Sequence, residues 1–259
     1  MYTILTDSCS DLNAQIAARF AQLEVLPLSY TISGQTSTQP FDDAARCSAF
    51  YDRLRAGEMC TTSQVSPGDF AEAFKAHAKK GEAVLGLIFS SALSGTYASA
   101  CMARDMVLEE YPDAVIELVD TLSASAGEGM VVYDALLRRD AGMPIEENAV
   151  YTKAHLQEYA HWFTVDDLHF LKRGGRCSPS AAFFGTMLKI KPVLHVDSEG
   201  RLIARSKVRG RVQALRAIAM KFGELEADKD QVIFISHGDC EKDALLVKDT
   251  LVKTFGCAP

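Results

Sequence analysis

Three short runs of hydroxyl and glycine residues hold most of the polar chemistry in the first half of this chain. They are Thr6-Asp7-Ser8, Ser90-Ser91-Ala92-Leu93-Ser94-Gly95-Thr96 and Asp120-Thr121. Each follows an apolar run of strand type. In an open parallel sheet, ligands bind outside the carboxyl ends of the strands. Helix N-termini at that edge present free N–H groups and a partial positive charge, which suits an anion. Ser94-Gly95-Thr96 is the best placed of these groups. Ser94 stands where an N-cap belongs, Gly95 lets a ligand approach the backbone, and a long helical pattern follows. The ordinary alternative is that Ser94 only caps its own helix. Thr61-Thr62-Ser63-Gln64 precedes another helix and reads as a fourth such segment or as a plain polar loop.

A nucleotide phosphate is not the expected anion, because neither G-x-x-x-x-G-K-[ST] nor G-x-G-x-x-G after a strand is present. Gly127-Glu128-Gly129 lies inside a helical pattern and reads as close packing. Ser94 as a nucleophile would need a base oriented by a third group. Of six histidines, His195 and His237 lie near strand ends and are the better bases; His77 and His155 fall on polar helix faces. No G-x-S-x-G elbow supports hydrolase chemistry. Asp7 can hold a metal or bond turn N–H groups, and no second carboxylate stands at ligand spacing, so no metal is expected. An enzyme of small acyl or phospho substrates using Ser94 or Asp7 stays open as the alternative reading.

Two features lie in the second half. Leu171-Lys172-Arg173-Gly174-Gly175-Arg176 sets three cations beside two glycines and reads as a docking loop for an acidic surface or phosphate, or as a solvated turn. Lys189 and Lys191 bracket a strand start, and Arg205, Lys207, Arg209 and Arg211 alternate onto one face, which reads as a solvent face or as an extension of that docking surface. Phe183, Phe184, Met187 and Leu188 form an apolar stripe that fits a core or the wall of a hydrophobic cavity.

Composition narrows the class. The 259 residues carry 27 Lys and Arg against 34 Asp and Glu, a net charge of −7, which argues against a nucleic-acid or anionic-membrane surface. Apolar residues make up 48%, enough for a packed core. No apolar run has the roughly 18 residues of a membrane span, and Met1-Tyr2-Thr3-Ile4 does not open a signal peptide. Seven cysteines without a C-x-x-C pair indicate reduced thiols and a cytoplasmic protein.

The elements that position these groups alternate between strand and helix. Strands are expected over Tyr2–Leu5, Val25–Ile32, Ala83–Phe89 and Ala114–Val119, with Pro27 pushing the second towards an edge. Helices are expected over Leu12–Phe20, with Asp11 as cap, and over Ala44–Leu54, Ser94–Leu108, Leu122–Leu137 and Ile145–Tyr159, with a further one opened by Ser66-Pro67. Such alternation implies an α/β fold with a mostly parallel sheet. Later come a short strand at His161–Val165, brief helices at Leu168–Leu171 and Pro179–Leu188, and a hairpin turning at Asp197–Gly200. A helix over Arg211–Phe222, a strand over Gln231–Ser236 and a helix over Ala244–Phe255 follow. The hairpin breaks the rhythm, so two α/β domains are expected, residues 1–160 and 161–259, the second with a mixed sheet.

Taken together and in order, several segments resemble the DegV family of bacterial fatty-acid-binding proteins. They are Thr6-Asp7-Ser8-Cys9-Ser10-Asp11-Leu12, Thr62-Ser63-Gln64-Val65-Ser66-Pro67, Ser90 to Tyr97, Asp120-Thr121, Leu171 to Arg176, and Lys191-Pro192-Val193-Leu194. The resemblance implies a long-chain fatty acid as ligand, lying in a tunnel between the two domains, with no other cofactor. It implies that Thr62 and Ser94 hydroxyls and the Gly95 N–H hold the carboxylate, with Phe183, Phe184, Met187 and Leu188 along the acyl chain. It also implies a lipid-presenting subunit that is not itself an enzyme. A separate ATP-dependent fatty acid kinase would make the acyl phosphate, docking at Lys172, Arg173 and Arg176; transient membrane contact is compatible with that role. About 15 methylenes at roughly 0.8 kcal/mol each give on the order of 12 kcal/mol of gross transfer energy, so the head group needs only orientation. Family members continue through a Gly-rich segment carrying a His near the carboxylate. No such segment follows Phe255, so the second domain is expected to be incomplete at its C-terminus.

Overall fold

The computed structural model describes residues 1–38, 43–176, 189–225 and 228–258. The fold is α/β, and the chain divides into two compact units, Met1–Tyr159 and Ala160–Pro259. In chain order the first unit holds β1 (Thr3–Asp7), a 3-10 turn (Ser8–Ser10), α1 (Ala14–Ala17), β2 (Leu23–Leu26), β3 (Ser29–Ile32) and β4 (Gln35–Ser37). It continues with α2 (Ala44–Arg55), β5 (Cys60–Ser63), α3 (Pro67–Ala78), β6 (Val84–Ile88), α4 (Thr96–Glu110), β7 (Ile116–Asp120), α5 (Ala126–Asp140) and α6 (Ile145–His155).

A parallel sheet of order β2-β1-β6-β7 is the centre of this unit. Every residue of β1 and β6 is buried, as strands covered on both faces should be, and β6 is apolar throughout. Phe70, Phe74, Ala100, Ala103 and Val107 of α3 and α4 pack with Leu5, Val84, Ile88 and Leu118 of the sheet. The start of α3 follows from its sequence: Ser66 Oγ accepts from Asp69 N at 3.2 Å, Asp69 Oδ2 accepts from Ser66 N at 3.2 Å, and Pro67 is the first helical residue.

Four expectations change. The strand expected over Val25–Ile32 is two strands in two sheets, because Pro27 has no N–H with which to continue a ladder. The second of them, β3, centres a small antiparallel sheet of order β4-β3-β5, in which the polar run containing Thr62 is a strand. The helix expected from Leu12 shrinks to the four residues of α1, capped by Asn13, whose side chain accepts from Ile16 N at 2.8 Å. Asp11 sits in a left-handed conformation, φ 50°, and ends the 3-10 turn instead of capping a helix. The helix expected from Leu122 starts at Ala126, because Leu122 and Ser125 both have positive φ, 49° and 54°.

The second unit holds β8 (Trp162–Phe163), α7 (Leu168–Arg173), β9 (Ile190–Val196), β10 (Leu202–Arg209), α8 (Arg211–Leu225) and α9 (Glu241–Phe255). Its described strands form an antiparallel sheet of order β10-β9-β8. The hairpin turns on Asp197, whose Oδ1 accepts from Glu199 N at 3.0 Å and Arg201 N at 2.9 Å. Leu215 and Ala219 of α8 pack against Val247 and Leu251 of α9. The strand expected over Gln231–Ser236 is not among the strands of the described residues. The helix expected over Pro179–Leu188 lies outside the described residues. Among the described residues no helix is long and apolar enough to cross a membrane, and no disulfide joins the described cysteines.

Candidate carboxylate-binding site

The polar turns gather at the carboxyl edge of the parallel sheet, where most of their side chains are spent on the turns themselves. Asp7 is fully buried; its Oδ1 accepts from Cys9 N at 2.9 Å and its Oδ2 from Phe89 N at 3.0 Å. It therefore fastens the end of β1 to the residue after β6. Burial raises its carboxyl above the ordinary value, and the two N–H bonds oppose that rise. Each oxygen accepts from a backbone N–H, so the side chain organises this turn. Among the described residues no group of three or more His, Cys, Asp or Glu is placed to hold a metal ion. Asp120 Oδ1 likewise accepts from Ser91 N at 3.1 Å and Leu122 N at 3.2 Å, and Thr121 Oγ1 donates to Ile88 O at 2.8 Å.

Ser94 and Gly95 differ from these. The N-cap of α4 is Gly95, one residue later than expected, and it has no side chain to cap with. Ser94 Oγ accepts from Thr96 N at 3.2 Å and lies 2.8 Å from Thr96 Oγ1. A capping oxygen must reach the second or third helical N–H, and Ser94 reaches only the first. The N–H groups of Tyr97 and Ala98 thus receive no side-chain cap, and the first turn of α4 has no acidic residue. When Thr96 donates its hydroxyl to Ser94, Ser94 accepts twice and keeps its own hydrogen for an external acceptor. Ser94 and Gly95 are half-buried, so an acceptor can reach them.

Thr62 is exposed on β5, paired with Tyr30 of β3. Two residues on, Gln64 Nε2 donates to Ser99 Oγ on α4 at 2.7 Å. A Cβ built on Gly95 would stand 2.1 Å from Gln64 Oε1 and 2.9 Å from its Cδ, so the Gln64 amide lies directly against Gly95. The strand carrying Thr62 therefore leads straight to the N-terminus of α4. Gln64 is a site residue that sequence reasoning left without a role. Its only signal was its place between Thr62 and the Ser66-Pro67 cap.

The arrangement offers hydroxyls and backbone N–H groups to an anion. In the first unit, His77 sits between Glu24 and Glu82, 2.7 and 2.8 Å away, and His155 bonds Tyr151 O at 2.7 Å. Neither is a partner of Ser94. In the second unit His195 Nε2 accepts from Arg205 Nε at 2.6 Å, and His237 Nδ1 accepts from Cys240 N at 3.2 Å, just before α9. Lys172, Arg173 and Arg176 are exposed at and beyond the end of α7, with the Arg173 guanidinium 5.6 Å from the Phe170 ring centre. The four residues Phe183, Phe184, Met187 and Leu188 lie outside the described residues.

Comparison with known proteins bears on this edge. The sequence profile of a family described as "Uncharacterised protein, DegV family" matches residues 1–257. A DegV domain-containing protein of Clostridium perfringens (strain 13 / Type A) is 41% identical over 247 residues, covering 94% of this chain and 84% of that protein. The crystal structure of a fatty acid binding DegV family protein from Streptococcus agalactiae aligns with a TM-score of 0.83 and 28% identity, covering 98% of this chain and 88% of the other. A structure of a DegV family protein from Thermus thermophilus, described by its fatty acid binding, aligns with a TM-score of 0.75 and 34% identity over 88% of this chain and 79% of the other.

Proposed function

The chain belongs to the DegV family, and from that premise we propose that it binds a long-chain fatty acid and presents the carboxylate to a separate ATP-dependent kinase. The observation that carries the reading is the start of α4: a helix N-terminus capped by a glycine, with a hydroxyl beside it and relatives that bind fatty acids. In this reading the carboxylate takes hydrogen bonds from Ser94 Oγ, the Gly95 N–H and the Thr62 hydroxyl. The field of α4 supplies modest charge compensation, so no salt bridge is needed. Phe183, Phe184, Met187 and Leu188 contact the acyl chain, and most of the affinity comes from burying that chain.

The protein has no catalytic step of its own in this proposal and acts in the cytoplasm. The kinase supplies ATP, and the exposed cations Lys172, Arg173 and Arg176 receive it. The first unit holds the head group and the second covers the acyl chain. Denaturing extraction of purified protein followed by mass spectrometry tests the central claim. A stoichiometric long-chain fatty acid is expected. Finding none, together with no uptake of added oleate, would overturn it.

A further inference from the structure

Glu128 stands in the first turn of α5, and its side chain is fully buried. Its Oε1 accepts from Thr6 Oγ1 at 3.2 Å, while its Oε2 is buried with no hydrogen-bond partner. Burying a carboxylate with a single hydroxyl beside it is costly, because the protein returns little of the hydration that is lost. The titratable groups that face it are all acids. β1 supplies Asp7, the 3-10 turn supplies Cys9 and Asp11, and β7 supplies Asp120. β6 has no titratable residue, and Glu146, Glu147 and Lys153 of α6 are exposed. The half-buried His155 of α6 bonds Tyr151 O. The arginines of α5, Arg138 and Arg139, lie about 15 Å further along the helix. They are engaged with Asn148 and Thr152, and with Asp140 and Gln22 O.

Two of the other three carboxyls are better supplied with donors: Asp7 receives two backbone N–H groups and Asp120 two, while Asp11 receives the Ser125 hydroxyl. Thr6 Oγ1 is the donor to Glu128. The N-terminal field of α5 favours a charge at this position, but it is small beside the desolvation of a fully buried carboxylate. We infer that Glu128 is carried as a neutral carboxylic acid in the folded protein, and that this corner of the candidate site keeps its packing only while that proton is in place. Burial first, and the Asp7 charge second, hold its carboxyl well above the ordinary carboxylate range. The corner has little slack: a Cβ on Gly129 would lie 2.4 Å from Ser10 O, so α5 rests directly on the turn that Asp7 organises.

The sign of the linkage follows. The unfolded glutamate ionises near pH 4.3, and above that value the folded chain alone retains the proton. The folding constant then falls by up to about tenfold per pH unit until the folded group ionises. Glu128→Gln replaces the acid with an uncharged group of the same shape. Urea unfolding of the full chain, read by far-UV circular dichroism from about pH 5 to about pH 8, compares the two proteins. The variant is expected to gain on wild type by up to about tenfold in folding constant per pH unit. Parallel pH profiles would overturn the inference. Carbon-13 labelling of glutamate side-chain carboxyls in wild type gives a second reading that needs no variant. One glutamate carboxyl still protonated at about pH 7 is expected, and a spectrum with every glutamate ionised would refute it. Neither measurement involves a fatty acid, so its failure is separate from a failure of the proposed function.

Discussion

Replacing Gly95 by alanine tests the geometry of the site. The new Cβ would stand 2.1 Å from Gln64 Oε1, 2.9 Å from Cδ and 3.1 Å from Nε2, so the whole amide must leave. Its departure breaks the 2.7 Å bond to Ser99 Oγ, a hydroxyl on a residue that is only 1% exposed. Stranding a buried hydroxyl costs about 1–2 kcal/mol. Alanine is also a poorer N-cap than glycine, by about 0.5 kcal/mol. Gly95 has φ −75°, so its backbone adds no strain. The expected loss for Gly95→Ala is about 2 kcal/mol. In a Gln64→Ala background the same Cβ enters vacated space, and only the capping loss of about 0.5 kcal/mol remains. The double-mutant cycle should therefore show a coupling of about 1.5 kcal/mol. Urea unfolding read by far-UV circular dichroism suits the measurement, since the one tryptophan, Trp162, lies in the second unit. If the two substitutions add within about 0.3 kcal/mol, Gln64 does not rest on Gly95 and the reasoning fails.

Three further outcomes are expected. Ser94→Ala should weaken fatty acid binding about 10- to 100-fold, the worth of one hydrogen bond to a charged group. It should cost less than about 1 kcal/mol of stability, since Ser94 is half-buried and its partners are on neighbouring Thr96; equal affinities by calorimetry would remove Ser94 from the site. His161 has both ring nitrogens buried and unpartnered, and burial, helped by the nearby His195 charge, pushes it down to about 4. The unfolded histidine takes up its proton first, near pH 6.5, so the second unit should lose up to about 3 kcal/mol as pH falls from there towards about 4. Trp162 fluorescence in urea reads that loss, and His161→Phe should flatten it; an unchanged slope would show that His161 is not its source. Under the proposed function, Arg173→Glu should abolish acyl-phosphate formation by the proposed kinase while co-purifying lipid stays at wild-type level, and undiminished product would place the docking surface elsewhere.

Much of the parallel sheet was legible because its signals are local. β6 lies in a continuous apolar run, β1 and β7 lie in short runs of strand type, and the Ser66 cap with Pro67 is decided within three residues. The small antiparallel sheet of the first unit was not legible. Cys60–Ser63 is polar and largely exposed, without the alternation that marks a half-buried strand. It is a strand because β3, about thirty residues earlier, pairs with it. The sequence also placed Ser94 one position early, since choosing between neighbouring cap positions depends on backbone dihedrals that composition does not set.

By itself, then, the sequence determined where strands end in hydroxyls and glycines, and which family signature those turns spell. Tertiary structure alone decided how each polar group is used. Asp7 is consumed by two backbone N–H groups, one of them 82 residues away, while Ser94 Oγ accepts from Thr96 N and shares a hydroxyl contact with Thr96 Oγ1. Gln64 reaches Ser99 across 35 residues, and Glu128 meets a buried corner short of donors. The physical reason is that a residue's type sets what it can donate or accept. Whether that capacity is already satisfied depends on partners that only folding brings within 3 Å or so.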